Sequence, residues 1–377
     1  MKLNWPQDLD ESRFLAEYWQ QKPLLLRNAF ENFDNPLDPN ELAGLACEED
    51  SNARYIEHTG NNEWRLCAGP LSEDFFDDVS GNEWSLLVSD VEKLLPEFQQ
   101  YLQPFRFLPD WRIDDLMISY APVGGSVGAH VDQYDVFLLQ ADGTREWQIE
   151  TTPRERSEPS VSQTIALLGD FQANETWQLQ RGDILYLPPQ YAHHGIAKDE
   201  PCMTWSVGFR APSVDEMIPE IANYLLETPA ASHRFKDPNR KSTTSPGLIQ
   251  HTDLESLRDM LRGALEQNDQ TLYDWIGRFI TEPKDPLEDS EPTVTSIDSM
   301  QTQLKHTGLH CNSHKRTAYS LIDNKTVLFA DGLSYPCSQP LAEAIADRHL
   351  VTSEDLTQDT DIELLATLCS RRILLLV

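Results

Sequence analysis

The stretch 125–147, which reads G-S-V-G-A-H-V-D-Q-Y-D-V-F-L-L-Q-A-D-G-T-R-E-W, decides the fold of this chain. At its centre is the triplet His130-Val131-Asp132. Alternate residues of a β-strand point to the same face of a sheet, so this spacing directs an imidazole and a carboxylate to one point. A second stretch, 182–193 (G-D-I-L-Y-L-P-P-Q-Y-A-H), supplies another imidazole, His193, after a predicted strand. Together the two stretches predict one site built from distant parts of the chain.

Two histidines and one carboxylate from different strands form the facial triad of non-haem Fe(II) sites, which keeps three adjacent coordination positions open. The set contains no cysteine, which favours Fe(II) over other divalent metals. A lone histidine or aspartate in a strand is more often a hydrogen-bonded structural residue. The agreement of His130, Asp132 and His193 with the surrounding strand pattern nevertheless predicts a metal site. His193 is preferred to His194 as the third ligand because of its place after the double-proline turn.

An iron ion with three open positions can accept a bidentate 2-oxo acid and then dioxygen. The open geometry therefore predicts an oxygenase rather than a structural metal, and 2-oxoglutarate is a candidate co-substrate. The distal carboxylate of 2-oxoglutarate needs a cation, and Arg145, on the next predicted strand, can form a bidentate pair with it. Ser119, on the strand before the metal motif, can donate a hydroxyl hydrogen bond to the same carboxylate. The alternatives are a surface ion pair for Arg145 and an ordinary strand hydroxyl for Ser119.

Short strands separated by turn signals surround these residues and predict an all-β core. They cover 115–122, 136–140, 145–149, 164–168, 176–179, 184–187 and 203–209, a pattern that suits a double-stranded β-helix of the cupin type. The N-terminal part adds a capped helix from Asp38 to about Glu49, a hairpin over 54–67 and a helical apolar spacing over 87–98. The predicted fold class is mainly β with flanking helices.

Downstream of this core the pattern becomes helical. Ser213 opens a capping box, and two apolar stripes over 254–265 and 272–279 predict helices that bury themselves in a homodimer interface or against the barrel. The last segment combines a hairpin with two helices, a mix that resembles a winged helix. We therefore predict four parts in the chain: a cupin catalytic domain over 1–212, a helical dimerisation region over 213–281, a linker over 282–294 and a winged-helix-like domain over 295–377.

A second group of potential metal ligands lies near the C-terminus. His306, His310 and His314 fall at helical spacing with Cys311 among them and could be interpreted as a zinc cluster. Gly308 weakens a helix that would align them, and no second cysteine stands at ligand spacing. This pattern favours a solvated histidine-rich loop.

Composition limits the partners of the chain. It has 30 Lys and Arg against 62 Asp and Glu, a formal net charge of −32. Such a surface repels nucleic-acid phosphates and anionic membranes and attracts basic proteins, so no direct nucleic-acid contact is expected. The chain starts without a signal-peptide core, contains no apolar run of transmembrane length and scatters its 6 cysteines without a CxxC pair. These features predict a cytoplasmic protein without a membrane contact.

Three segments carry a resemblance to a known family: Q-P-F-R-F-L-P-D-W-R-I-D-D-L-M-I-S over 103–119, H-V-D-Q-Y-D-V-F over 130–137 and S-V-G-F-R-A-P over 206–212. With them the chain resembles the bacterial JmjC-type ribosomal oxygenases, and among these the arginine hydroxylases of large-subunit ribosomal protein sixteen. The likeness is close from about Leu3 to Pro212 and weaker beyond. Ala129 replaces a proline that the family often has, without removing a ligand.

The resemblance implies iron ligands at His130, Asp132 and His193 and 2-oxoglutarate contacts at Ser119 and Arg145. It implies that 2-oxoglutarate and O2 are converted into succinate and CO2 while Cβ of an arginine side chain is hydroxylated. It also implies a JmjC cupin domain, a helical dimerisation region with a homodimer, and a C-terminal winged helix. A basic ribosomal protein as partner suits the acidic charge of the chain.

Tyr134 and Asp135 directly follow the ligands and are predicted to hold the substrate guanidinium; the alternative for Tyr134 is a core aromatic of the barrel. Two rival functions stay open. One is a JmjC oxygenase that acts on histidine, asparagine or methyl-lysine of another basic protein. The other is a non-enzymatic cupin sensor coupled to a DNA-binding winged helix. The acidic composition argues against the sensor, since a DNA-binding regulator must show salt-dependent DNA binding.

Overall fold

The structure is a computed structural model that describes residues 2–60, 63–154, 167–228, 232–242, 245–265, 269–283 and 297–375. The chain divides into two compact units, Met1–Ala211 and Pro212–Val377. The predicted linker lies outside the described residues from position 284 onward. The predicted strand over 164–168 lies outside them up to residue 166, and residues 167 and 168 are not in a strand.

The first unit is rich in β-structure and carries short helices in its N-terminal part. Its helices are α1 (Glu11–Glu17), α2 (Pro39–Leu45), α3 (Glu73–Asp77) and α4 (Val91–Leu94). Its strands are β1 (Leu24–Leu26), β2 (Asn52–Gly60), β3 (Glu63–Ala68), β4 (Trp84–Ser89), β5 (Ile113–Ala121), β6 (Val136–Asp142), β7 (Arg145–Ile149), β8 (Glu175–Leu179), β9 (Ile184–Leu187), β10 (His193–Ala197) and β11 (Cys202–Phe209). Short 3₁₀ turns cover Pro96–Tyr101, Gln103–Phe105 and Asp110–Arg112.

The strands of the described part of this unit form two antiparallel sheets. A large sheet has the order β1-β9-β6-β11-β5-β4-β2-β3, and a smaller one has the order β10-β7-β8. Side chains alternate between the two faces of each strand. Val136 and Leu138 of β6 pack with Trp147 and Ile149 of β7, so the two sheets lie face to face. The space between the sheets is where a site built from both of them must lie.

The opposite face of the large sheet is covered by N-terminal elements. Phe137 of β6 and Tyr186 of β9 belong to a second apolar core that includes Phe14 of α1 and Phe105. The rings of Phe14 and Tyr186 meet edge to face with centroids 4.9 Å apart. Strands β6 and β9 are therefore buried on both faces, which explains their continuous apolar sequences.

Most predicted elements of the first unit agree with the structure. Strands β5 to β9 and β11 cover the predicted positions, and the Asp38 capping box opens α2 with both of its hydrogen bonds present. The predicted helix over 87–98 is wrong at its start. Leu87 lies in β4, which pairs with β2 and β5, and only Val91–Leu94 is α-helical. A buried strand has an apolar run of its own, and here that run coincides with helical spacing.

Helix α4 carries a buried carboxyl group, that of Glu92, which is 6% exposed. The Leu116 amide donates a hydrogen bond of 2.9 Å to it. Burial, together with the charges of Asp90 and Asp115, raises the pKa of Glu92 to about 7. Between about pH 4.5 and pH 7 the folded protein holds a proton that the unfolded chain releases, so stability falls as the pH rises through this window.

Replacing Glu92 by glutamine is expected to remove this pH dependence. The glutamine oxygen still accepts from the Leu116 amide, and no charge is buried at high pH. From about 1.36 kcal/mol per pKa unit, the variant should gain up to about 3 kcal/mol at about pH 8 and less than about 1 kcal/mol at about pH 5. Urea unfolding of both proteins at the two pH values measures the difference. A gain of the same size at both would contradict the expectation.

The second unit begins with α5 (Val214–Leu226), α6 (His251–Leu265) and α7 (Asp269–Thr281). It continues with α8 (Ile297–His306), β12 (Leu309–Cys311), β13 (Thr317–Ile322), β14 (Lys325–Ala330), β15 (Leu333–Pro336), α9 (Gln339–Ala346), β16 (Leu350–Val351), α10 (Asp359–Ser370) and β17 (Leu374–Leu375). Its described strands form sheets in the orders β16-β12-β17 and β13-β14-β15. The predicted hairpin and the two predicted C-terminal helices correspond to β13–β14, α9 and α10. Among the described helices, none combines the length and the hydropathy needed to cross a bilayer.

The two apolar helix stripes of the second unit differ in their surroundings. Helix α7 packs on the C-terminal hairpin, since a Cβ at Gly277 would come within 2.4 Å of the Phe329 ring of β14. Helix α6 keeps its stripe exposed: Leu254 is 51%, Leu261 65% and Leu265 57% exposed. An apolar surface of this kind is typical of an interaction site.

Candidate metal centre

The first ligand segment does not form the regular strand that the His-x-Asp spacing predicts. His130 makes an isolated bridge with His193, and residues 131–135 carry no strand. Two backbone hydrogen bonds of 3.0 Å join the histidines, one from each amide to the other carbonyl. The pairing ends there because Gln190, whose amide donates to the Asp132 carbonyl at 2.8 Å, has a left-handed backbone with φ 71°. The ligands still converge, but from a bridge and a loop.

The second histidine segment opens β10, a strand that was not predicted. His193 stands opposite Ile149 of β7. Because side chains alternate along β10, His193 is only 2% exposed and faces the space between the sheets, whereas His194 lies on the opposite face. This alternation favours His193 over His194 as a ligand.

Three potential ligand atoms converge between the sheets. Oδ1 of Asp132 lies 3.8 Å from Nε2 of His130, and Oδ2 lies 3.6 Å from Nε2 of His193. The three ligand atoms all lie within 4.8 Å of one another. Within the described parts of the chain, no other group of three His, Cys, Asp or Glu side chains is close enough to hold a metal ion.

The C-terminal histidines do not form a second centre in the described structure. His306 ends α8, whereas His310 and Cys311 lie in β12, which pairs with β16 and β17. The predicted solvated loop is therefore wrong at these two residues, since the chain re-enters a sheet directly after Gly308. Gly308 has φ 79° and ends the helical register, as expected from the sequence.

Backbone carbonyls hold both imidazole rings in one tautomer. Nδ1 of His130 lies 3.0 Å from the Gly128 carbonyl oxygen, and Nδ1 of His193 lies 2.9 Å from that of Tyr191. A carbonyl can only accept, so Nδ1 carries the proton and Nε2 presents its lone pair. Burial, and after it the neighbouring His130, lowers the pKa of His193 to about 4. A neutral ring with a fixed Nε2 lone pair is what a metal ligand requires.

The donor set suits a ferrous ion. Two imidazole nitrogens and one carboxylate oxygen, without a thiolate, are the ligands of the facial triad. The side chains of His130 and Asp132 are 23% and 21% exposed, whereas that of His193 is 3% exposed. The centre is therefore closed behind His193 and accessible beside the other two ligands.

Arg145, at the start of β7, is a buried cation with free donors. It is 3% exposed, and among the described residues neither its Nε nor its Nη2 has a hydrogen-bond partner. Its guanidinium carbon lies 5.8 Å from the centre of the Trp147 ring. An unpaired buried charge is costly, so this arrangement favours an anionic ligand. The planar donor fork fits the carboxylate of 2-oxoglutarate.

Ser119 of β5 faces the same space between the sheets. It stands opposite Thr204 of β11, and Thr204 stands opposite Gln140 of β6. Gln140 is two positions from Leu138, which packs on the second sheet, so all three polar side chains point that way. The Ser119 hydroxyl donates to the Thr204 carbonyl at 3.2 Å. A contact with a co-substrate requires this hydroxyl to exchange its partner or to accept a second bond.

Known proteins share this architecture. The JmjC domain family matches residues 100–217, and the ROXA-like winged helix family matches residues 264–374. The ribosomal protein uL16 3-hydroxylase of Escherichia coli strain K12 is 36% identical over 293 residues, which are 78% of this chain and 75% of that protein. The chain belongs to the JmjC-type ribosomal oxygenases.

Further relatives of this ribosomal oxygenase agree with the assignment. A probable ribosomal oxygenase of Haemophilus influenzae is 38% identical over 220 residues, 58% of this chain and 54% of that protein. The structure of YcfD, a ribosomal oxygenase from Escherichia coli, matches with a TM-score of 0.84 at 31% identity and covers 99% of this chain and 98% of its own. YcfD in complex with cobalt and 2-oxoglutarate matches with the same TM-score and identity over 99% of each chain. The predicted JmjC cupin fold with a C-terminal winged helix is confirmed.

Tyr134 of this ribosomal oxygenase lies at the accessible side of the centre. It is 44% exposed, so it is not the core aromatic of the alternative interpretation. The negative charge of Asp132, followed by burial, raises the pKa of Tyr134. The phenol therefore stays protonated at physiological pH and can donate a hydrogen bond.

Asp135 lies in the interior of the oxygenase, and this burial contradicts the predicted contact between its carboxylate and a substrate guanidinium. It is 0% exposed. Its carboxylate accepts hydrogen bonds from the Tyr186 hydroxyl at 2.6 Å, the Gln20 side-chain amide at 2.9 Å and the Arg112 guanidinium at 3.4 Å. Because these partners surround both oxygens, no surface of the carboxylate is offered to a substrate.

Trp147 and Gly195 contribute to the centre although sequence analysis assigned them no role. The Trp147 ring centroid lies 5.7 Å from that of His193, and the residue is 5% exposed. Gly195 stands opposite Trp147 in the β10–β7 pair, and a Cβ there would come within 2.7 Å of the ring. A glycine inside a strand marks a close approach of another group, but β10 was not predicted as a strand, so this signal was missed. The indole can lie against β10 only because this position has no side chain.

Proposed function

We propose that this chain is an Fe(II)- and 2-oxoglutarate-dependent oxygenase that hydroxylates Cβ of an arginine side chain in large-subunit ribosomal protein uL16. The observation that carries the proposal is the His130, Asp132 and His193 ligand set together with the buried guanidinium of Arg145. The first suits a ferrous ion and the second a dicarboxylate co-substrate. The Escherichia coli relative is named a uL16 3-hydroxylase, which supports the substrate and the position.

The residues of the chain hold and orient the reactants. When bound, iron and 2-oxoglutarate supply the activation of dioxygen that inserts one oxygen atom into a C–H bond. His130, Asp132 and His193 would hold the metal, and the carbonyl-fixed tautomers of the two histidines keep both Nε2 lone pairs available. Arg145 would pair with the distal carboxylate of the co-substrate, and Ser119 would add a hydroxyl contact. These contacts place the co-substrate before the protein substrate arrives.

The substrate arginine is assigned to the accessible side of the centre, beside Tyr134. The negative charges of Asp132, Asp115 and Asp114 outnumber the one positive charge, that of Arg54, that acts on its phenol. An arginine at this ring meets an aromatic face in acidic surroundings, and both attract a guanidinium. The net charge of −32 also favours the encounter with a basic ribosomal protein.

The test is turnover of 2-oxoglutarate with Fe(II) and recombinant uL16, followed by succinate formation and by mass spectrometry of the protein substrate. The expected result is a mass gain of one oxygen atom on a single arginine, matched by an equivalent of succinate. Modification of a histidine, asparagine or methyl-lysine instead would retain the oxygenase and overturn the substrate residue. Absence of succinate from a metal-loaded chain would overturn the enzyme.

We also propose that the chain forms a homodimer through α5 and α6. Val214 and Ile218 of α5 are 71% and 58% exposed, and Leu261 and Leu265 of α6 are 65% and 57% exposed. Exposing such apolar helix faces to water is unfavourable. A second copy of the chain offers the same faces and can cover them around a two-fold axis.

Replacing Leu261 by glutamate is expected to convert the dimer into a monomer. A carboxylate in an apolar interface must be buried without a partner, at a cost of several kcal/mol. Sedimentation velocity at equal protein concentration measures the change. The matched control is Leu321→Glu in β13, which is 56% exposed outside α5 and α6 and should leave the mass unchanged. A natural chain that sediments as a monomer would contradict the dimer.

We propose the domain boundaries predicted from the sequence with one change, the assignment of α7. These are a catalytic domain over 1–212, a dimerisation region over 213–281, a linker over 282–294 and a winged-helix-like domain over 295–377. The end of the first unit at Ala211 supports the first boundary. The packing of α7 on β14, and a winged-helix match that begins at residue 264, favour assigning α7 to the C-terminal domain instead.

A cytoplasmic location is proposed from the substrate. Ribosomal proteins are made and assembled in the bacterial cytoplasm, so their hydroxylase must act there. The 6 cysteines are all free thiols in the structure, which is typical of a reducing compartment.

A further inference from the structure

We propose that the turn after α1, formed by Trp19, Gln20 and Gln21 and here called the N-terminal brace, positions the metal ligands Asp132 and His193. The brace contacts both ligand-bearing segments at residues that are not themselves metal ligands. The inference rests on the proposed metal site but not on the identity of the protein substrate. It explains why a buried aspartate, Asp135, follows the ligands so closely.

The first contact joins the brace to the segment that carries Asp132. The Gln20 side-chain amide donates to Oδ2 of Asp135 at 2.9 Å, and the Gln20 backbone amide donates to the Tyr186 hydroxyl at 2.7 Å. Tyr186 in turn donates to Oδ1 of Asp135 at 2.6 Å. The three residues close a ring of hydrogen bonds three positions after the ligand. Gln20 has a left-handed backbone with φ 57°, which directs both of its donors inward.

The second contact joins the brace to the segment that carries His193. The Tyr191 hydroxyl donates to the Gln21 carbonyl at 2.6 Å. The carbonyl of the same tyrosine lies 2.9 Å from Nδ1 of His193 and fixes the tautomer of that ligand. Tyr191 therefore connects the brace to the imidazole through a single residue.

The guanidinium of Arg112 connects the Trp19 ring of the brace to Asp135. Nη2 of Arg112 lies 3.4 Å from Oδ2 of Asp135, and its guanidinium carbon lies 5.4 Å from the centre of the Trp19 ring. The Arg112 Nε donates to the Arg210 carbonyl at 2.6 Å, while the Asp135 carbonyl accepts from the Phe209 amide at 3.0 Å. The loop after Asp132 is thus tied to the end of β11 as well.

The chemistry of these contacts favours a positioning role over simple packing. A buried charged pair gives little stability compared with apolar residues of the same volume, so filling the core does not require Asp135. Its carboxylate bonds to Gln20, Tyr186 and Arg112, and these bonds fix the loop that carries Asp132. The Tyr191 carbonyl bonds directly to the ligand His193, and Asp135 fixes the loop three positions after the ligand Asp132. Partners that hold metal ligands within about 0.5 Å of their working positions are worth about ten- to a hundredfold in metal affinity.

The test is the binding of Co(II), as an air-stable probe, to the full chain carrying Asp135→Asn. Asparagine keeps an acceptor for Tyr186 but sets an amide donor against Gln20 and Arg112. We expect the dissociation constant for Co(II), measured by calorimetry and by the visible absorption of the bound ion, to rise about ten- to a hundredfold. The absorption spectrum of the saturated variant should shift, because the carboxylate of Asp132 is displaced.

Two further variants separate positioning from stability. Asp183→Asn removes another buried aspartate of the same unit, one that accepts from Arg27 at 2.6 Å and from the Asn28 amide at 2.8 Å. It should lower the unfolding temperature and leave the Co(II) constant unchanged. Adding Gln20→Glu to Asp135→Asn reverses donor and acceptor within the pair and should restore much of the affinity.

Co(II) binding tests the positioning role of the brace whether or not the Asp135→Asn variant folds. Asp135→Asn with natural Co(II) affinity and spectrum would overturn the brace, even if its unfolding temperature falls. If Asp135→Asn does not fold, Tyr191→Phe, which removes only the hydroxyl bonded to Gln21, replaces it; a Co(II) constant equal to that of the natural chain would overturn the brace. A natural chain that binds no Co(II) would overturn the metal site itself and, with it, this inference.

Discussion

The His193→Ala variant is expected to lose 2-oxoglutarate turnover by about a thousandfold or more and to bind Co(II) or Fe(II) far more weakly than the natural chain. His193 is the most deeply buried of the three ligands, and the alanine variant leaves only His130 and Asp132 to hold the metal. A metal ion supplies several kcal/mol of transition-state stabilisation, and each 1.36 kcal/mol is about tenfold in rate. Succinate formation and calorimetric titration with Co(II) measure the two losses.

The adjacent histidine provides the matched control. His194 carries the same ring one position further along β10 and lies on the opposite face of the strand. His194 is half-buried on that face, and His194→Ala should keep both metal affinity and turnover within about threefold because its ring is directed away from the three ligands. Equal losses in the two variants would show that β10 is damaged as a whole, and a fully active His193→Ala would refute the ligand assignment.

The Arg145→Gln variant is expected to raise the Michaelis constant for 2-oxoglutarate about a hundredfold while much of the turnover at saturation survives. The variant loses a bidentate charge-assisted pair in a buried site, and such a pair is worth about 2–4 kcal/mol. Since the metal ligands are untouched, Co(II) affinity without co-substrate should stay the same. Succinate formation over a wide range of 2-oxoglutarate concentrations separates the two kinetic constants.

Thermal unfolding gives an independent readout for Arg145. Without 2-oxoglutarate, the variant should be at least as stable as the natural chain, because a buried guanidinium with unpaired donors has been replaced by a neutral group. Addition of 2-oxoglutarate should stabilise the natural chain by mass action and the variant hardly at all. The exposed Arg181, paired with Asp34, supplies a control variant, Arg181→Gln. A variant that responds to 2-oxoglutarate like the natural chain would remove Arg145 from the site.

Local sequence patterns correctly predict those parts of the structure for which a pattern is compatible with only one kind of secondary structure. The Asp38 capping box opens α2 because its two hydrogen bonds involve residues within one helical turn. The apolar runs of β6 and β9 are too short for helices and are bounded by turn residues, so they are correctly predicted as buried strands. The residue types and spacings around His130 and His193 likewise favour one chemistry, the binding of a metal ion.

The remaining features depend on distant residues that local patterns do not contain. Asp135 and Tyr134 are neighbours with the same predicted role, and Asp135 is buried because Gln20, Tyr186 and Arg112, all distant in the chain, surround its carboxylate. The strand predicted through His130 ends after a single bridge because one residue of the facing segment, Gln190, turns left-handed. Leu87 fits a helical stripe and is found in β4 because β2 and β5 pair with it from either side.

The two-sided burial of β6 and β9 has a consequence for protein engineering. Phe137 and Tyr186 fill one core, while Leu138 and Leu185 fill the other. A larger side chain on either strand has no solvent to expand into and strains the packing by about 1–3 kcal/mol. A mutant library that aims to redirect the enzyme to another cationic side chain should leave both strands unaltered. It should diversify the exposed surroundings of Tyr134 instead, where most substitutions cost less than about 0.5 kcal/mol.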